Sequence, residues 1–129
     1  KEIEKSYPLT PLILQMKILL LLKEKSWDLA LGLSEKLQRM EPENGAGFIQ
    51  GAYCLHEMKR TDEALELLEI APDSVRSDAI YFYNKGCYQA AIGDLDTAFD
   101  CIKKSFDLDE SLIEVARRDP DLAILKDSI

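Results

Sequence analysis

Three alanines, Ala30, Ala64 and Ala98, stand thirty-four residues apart, and the same flanks travel with them. The surrounding octets read SWDLALGL, RTDEALEL and DLDTAFDC, each with an Asp two places before the alanine: Asp28, Asp62 and Asp96. A large apolar residue stands sixteen places before it, as Leu14, Phe48 and Phe82, and Pro8 precedes Pro42 by thirty-four residues, the repeat interval. A fixed period of this length constrains the fold more than any single motif. One such unit cannot bury its own apolar face, so successive units must stack into a continuous core.

Within each period the residues read as two helices joined by a tight turn. In 79–92, Phe82, Gly86 and Ala90 recur at helical spacing. Gly93 can end that helix by adopting a positive φ. Asp94 can cap the next helix, and Asp96 places a carboxylate in its positively polarised first turn. Ser26 and Thr61 offer the equivalent caps in the first and second copies. Ala30, Ala64, Ala98 and Gly86 leave room for two helices to approach closely, where a larger side chain would overpack.

This pattern resembles the tetratricopeptide repeat (TPR) family, whose unit is two antiparallel helices. The resemblance covers residues 11–112. It is carried by Leu14, Trp27, Ala30 and Pro42 in the first copy. In the third it rests on Phe82, Gly86, Gly93-Asp94, Ala98, Ile102 and Leu108-Asp109. The second copy departs most, with Lys59-Arg60 where the turn often carries Gly-Asp. The expected fold is all-α: a right-handed TPR-like α-solenoid forming one domain over 1–129. Its repeats are expected at about 11–44, 45–78 and 79–112. A C-terminal cap is expected over 112–129. There Ser111 and Glu114 form a capping box, Asp119-Pro120 opens a last helix, and Leu112, Val115, Leu122 and Leu125 point inward. The position of Pro8 marks residues 1–10 as the expected end of an upstream repeat, in a longer array.

In the TPR family the first helix of each repeat lines a concave groove. Carried over, the resemblance places Leu12, Gln15, Leu19, Leu22 and Lys23 there from the first copy. The second copy supplies Ala46, Ile49, Tyr53, His56 and Glu57. The third supplies Ile80, Tyr83, Cys87, Ala90 and Ala91. The implied groove is mostly apolar, with Tyr53 and Tyr83 suited to anchor a partner. The clamp that some relatives use on carboxylate tails is excluded. Its places hold Gln15, Leu19, Gln50, Ile80 and Asn84, none of them cationic. Lys17 and Lys85 replace an expected leucine. Their stems are expected along apolar surface with the ammonium groups in water.

Composition narrows the function further. The chain has 129 residues, 47% of them hydrophobic, and a net charge of −8. Residues 1–40 hold seven basic and five acidic side chains, and the rest hold nine and nineteen. Nucleic-acid binding needs clustered Lys and Arg and is not expected. The apolar run PLILQMKILLLL is twelve residues, short of the roughly twenty of a membrane span. Cys54, Cys87 and Cys101 lack disulfide or zinc spacing and fit a reducing, cytoplasmic setting. Cys54, His56 and Glu57 diverge on a helix, so no catalytic constellation, metal or cofactor is expected. The chain therefore reads as a non-catalytic interaction module that binds a peptide or helical segment of a protein partner. The alternative is a homo-oligomerisation module or a docking segment of a longer array.

Overall fold

The computed structural model describes residues 9–128, with side chains to 125. The inference about residues 1–10 falls almost wholly outside them. The described residues form α1 (Pro11–Lys23), α2 (Trp27–Met40), α3 (Ala46–Glu57), α4 (Thr61–Glu69), α5 (Asp73–Arg76), α6 (Ala79–Ala91), α7 (Leu95–Leu108) and α8 (Leu112–Arg118). A 3-10 helix follows over Pro120–Ser128. No strand occurs among them. Neighbours in sequence pack as antiparallel pairs, α1 with α2, α3 with α4 and α6 with α7. The pairs stack through α2 on α3 and α4 on α6. The second helices start at Trp27, Thr61 and Leu95, thirty-four residues apart.

The joint between paired helices is tight for the reason the alanines give. Ala30, Ala64 and Ala98 are all fully buried. In the third pair the approach is closer still. A Cβ on Gly86 would lie 2.6 Å from Ile102 Cδ1 and 3.2 Å from the Ala98 carbonyl oxygen. Ile18 and Ala52 hold the corresponding places in the first two pairs, both fully buried.

The turn repeats as faithfully as the alanine. Gly93 has φ 91°, and Lys25 and Lys59, at the same register, have φ 61° and 66°. Each is followed by a 2.8–3.0 Å bond reaching five residues back: Ser26 N–H to Leu21 O, Arg60 N–H to Leu55 O, and Asp94 N–H to Gln89 O. This is the Schellman ending of a helix, which satisfies otherwise orphaned carbonyls. Lys59-Arg60 makes the same turn as Gly93-Asp94, with a side chain where glycine would be unstrained.

Capping differs from expectation. Asp94 caps as anticipated, accepting from Thr97 N–H at 3.3 Å, but Ser26 makes no side-chain cap bond. Thr61 lies inside α4 and bonds His56 instead. Ser111 forms no capping box. Its hydroxyl donates to Asp109 Oδ1 at 2.6 Å, and Glu114 pairs with Arg117. For Thr61 and Ser111 a nearby side chain engages the hydroxyl in place of a cap. The second helix of the middle pair is also short, because Pro72 can neither donate a backbone bond nor follow a helical turn without a clash. The chain restarts as the single turn of α5. Its Val75 packs so closely on Gly45 that a Cβ there would collide.

At the C-terminal end Leu122 and Leu125 are buried as expected and join the main core, while Leu112 packs at its edge. Val115 is half exposed, and Ala116 points inward in its place. A seven-residue helix shows the core little more than one small side chain, so the following 3-10 segment supplies the larger ones.

Candidate partner-binding face

The first helices of the second and third pairs, α3 and α6, touch each other, and the 3-10 helix packs back onto α6. This divides the sequence-expected groove residues into two groups.

At the open end, Leu12 and Leu19 are 68% and 57% exposed and Ile80 is 44% exposed. Gln15 and Ile49 are half-buried. Leu22 turns inward and packs against core on both sides. Tyr53 is 38% exposed, and its ring meets Trp27 edge-to-face at 5.7 Å. Aromatic pairs in this geometry hold each other in place beyond simple burial. Burial raises the Tyr53 phenol pKa, and the carboxylates of Glu57, Asp121 and Asp119 raise it further.

At the closed end, Tyr83 and Cys87 are 5% and 4% exposed. The Tyr83 hydroxyl donates to Asp119 Oδ2 at 2.6 Å, and the Cys87 thiol approaches the same oxygen at 3.8 Å. Burial, then the bond to Asp119, holds the Tyr83 phenol far above its ordinary range. Burial, then Asp119 and Asp121, does the same for the Cys87 thiol. His56 lies 3.1 Å from Asp121 Oδ2 through Nε2 and 3.0 Å from Thr61 Oγ1 through Nδ1. Its ring lies tilted by 35° against Tyr88 at 4.6 Å, and the buried Tyr88 hydroxyl has no hydrogen-bond partner among the described residues. Asp119, Pro120 and Asp121 thus form an acidic turn docked in cis on the face that Tyr83, Cys87 and His56 were expected to offer a partner. Asp119 also accepts from Asp121 N–H at 3.0 Å, which sets the turn. Sequence reasoning missed this contact. The signal available was the pair of aspartates flanking Pro120, but their partners lie 36 and 65 residues away.

Lys85 carries its ammonium 6.0 Å from the Tyr81 ring centroid, at the weak limit of a cation–π contact. Among the described residues no cluster of His, Cys, Asp or Glu could hold a metal ion, and no helix is long and apolar enough to cross a membrane.

Solved structures that share this helical fold include two MamA chains. A chain described as MamA MSR-1 C2 superposes with a TM-score of 0.70 at 22% identity, covering 84% of this chain and 62% of that one. A second, MamA 41-end from Desulfovibrio magneticus RS-1, gives a TM-score of 0.72 at 20% identity, covering 92% and 67%. The fold is TPR-like. No family model matches the chain, and no curated protein matches it. This TPR-like chain spans about three-fifths of the first MamA chain's length and two-thirds of the second's.

Proposed function

We propose that this chain is a non-catalytic protein-interaction module that holds a segment of a protein partner on the open end of its concave face. Leu19, Ile49, Tyr53 and Ile80 form the floor. The observation that carries the reading is Tyr53: a half-exposed ring braced by Trp27, set among exposed apolar side chains that water solvates poorly. The TPR-like fold supports it, since arrays of this kind present such a face to other proteins. Three unpaired, buried cysteines favour a cytoplasmic setting.

The test is capture of partners from the source cell by wild type, Tyr53→Ala and Tyr83→Phe. Loss of a captured protein with Tyr53→Ala, at unchanged helicity, supports the reading. Retention at wild-type level overturns it. A purified-protein activity abolished by His56→Ala would overturn its non-catalytic part.

A second reading is favoured by α1. Beyond the face that packs on α2, it exposes Leu12, Met16 and Leu20 at four-residue spacing. This stripe is suited to self-assembly or to docking further repeats. Light scattering over a concentration series tests it. A strict monomer, unchanged by Met16→Glu, removes self-assembly.

A further inference from the structure

One register of the first helices runs Leu19, Tyr53, Cys87, and another runs Gln15, Ile49, Tyr83, each at thirty-four-residue spacing. Leu19 and Tyr53 are exposed and Gln15 and Ile49 half-buried, whereas Tyr83 and Cys87 are buried. The chain's own segment, Asp119 to Leu125, covers the third copy. Asp119 accepts from the Tyr83 hydroxyl, Asp121 meets His56 Nε2, and Leu122 and Leu125, three places apart, enter the core. The segment is seated without filling its site. A recess of about 420 Å³ remains beside Asp121, lined also by His56, Lys59, Thr61 and Ala91, and Ala123 and Ile124 face solvent. The backbone from Pro120 to Ser128 is a nine-residue 3-10 helix. Runs of more than three or four such residues are uncommon, because their hydrogen bonds are poorly aligned. The segment therefore gains little from its own conformation and is held by what it touches.

We infer that the α6 end of the face is a receptor for an acidic turn followed by two apolar anchors. Residues 119–125 are its resident occupant, displaced when a partner segment of the same chemistry docks. The seated segment defines that chemistry: Asp-Pro-Asp, then leucine-type side chains three residues apart. Tyr83 and His56 read the carboxylates, and the places of Leu122 and Leu125 in the core take the anchors. A hydrogen bond to a charged acceptor is about twice as strong as one between neutral groups, so Asn in place of Asp binds less well. A tethered occupant competes at an effective concentration of about millimolar, which sets the threshold a partner must exceed. A weak ligand finds this end closed, and a matching one lengthens the available face. The inference rests on the interaction reading above and extends it from Tyr53 to the covered end.

A synthetic peptide copying residues 117–125 tests it on the intact chain, beside the same peptide carrying Asp119→Asn and Asp121→Asn. The chain variant with Asp119→Asn and Asp121→Asn weakens the tethered occupant and keeps Tyr83 and His56. Asp121 is exposed and Asp119 half-buried, so the variant keeps its core. The Asp peptide is expected to bind this variant about tenfold tighter than wild type, since apparent affinity scales with the fraction of chains whose site is free. Adding Tyr83→Phe to the variant should remove most of the preference for the Asp peptide over the Asn peptide. Hydrogen exchange on wild type gives a second reading that needs no variant. Saturating Asp peptide should speed exchange across 120–125 by about tenfold while α3 and α4 stay protected. Equal affinity for wild type and variant, no binding to the variant, or undisturbed exchange over 120–125 each overturns the inference. Partner capture that depends on Tyr53 survives all three outcomes and leaves the interaction reading intact. Capture indifferent to Tyr53→Ala overturns that reading whatever the peptides do.

Discussion

The Tyr83 hydroxyl and the Asp119 carboxylate meet at 2.6 Å across thirty-six residues of chain. Tyr83 lies on the helix that would line the groove, and Asp119 begins the segment that covers it. The bond fastens the C-terminal 3-10 helix to the third helical pair. Hydrogen bonds to a charged acceptor are worth roughly 1.5–3 kcal/mol when partly shielded from water. Tyr83→Phe should therefore lower stability by about 1–2 kcal/mol. It should also raise amide exchange over 120–128 while α3 and α4 stay protected. Denaturant melts and hydrogen exchange read both effects, and an unchanged midpoint would show that the bond holds nothing.

Gly86 and Ile102 meet closely where α6 packs on α7. Gly86→Ala inserts a methyl 2.6 Å from Ile102 Cδ1 and should cost about 1–3 kcal/mol by overpacking. In an Ile102→Ala background the same change should cost at least about 1 kcal/mol less, because the obstructing atoms are gone. A double-mutant cycle by chemical denaturation measures that coupling. Additive losses would place the strain elsewhere.

Lys25 and Lys59 hold left-handed conformations that favour glycine. Lys59→Gly and Lys25→Gly should each stabilise by up to about 1 kcal/mol, the relief of strain exceeding the added freedom of the unfolded chain. Gly93→Ala should lose about 1 kcal/mol for the converse reason. Thermal melts of the three variants check the signs. A Lys-to-Gly change that destabilises would mean that the lysine side chain contributes more than its backbone costs.

Burial pushes the Cys54 thiol up to about 11 from 9.0, and holds the Cys87 thiol higher still. The folded chain therefore keeps thiol protons that the unfolded chain releases. Above pH 9 the native state binds more protons than the unfolded state, so stability falls as pH rises. For Cys54 this contribution is intact below about pH 9 and is lost between pH 9 and about 11. Denaturant midpoints over this range should decline, and Cys54→Ala should flatten part of the slope. Both thiols should resist a disulfide reagent near pH 8 until the chain unfolds. Rapid native-state labelling would contradict their burial.

The three-pair solenoid was legible in the residues because it is a local pattern made three times. A small side chain, a left-handed turn and an apolar face recur within each thirty-four-residue span, and short-range sterics decide all three. The turn was readable from Gly93. It was not from Lys59, because propensity alone disfavours lysine there and packing overrides it. Tyr53 and Ile80 stay exposed on the first helices of the second and third pairs, as the same register places them. What the tertiary structure decided is which part of that face stays open. Asp119 seeks the Tyr83 hydroxyl, Asp121 seeks His56, and Leu122 and Leu125 reach the core only because the chain turns back at Pro120. Those contacts join residues far apart in sequence, where no period operates. Only the folded chain brings the acidic turn and the two aromatic side chains together.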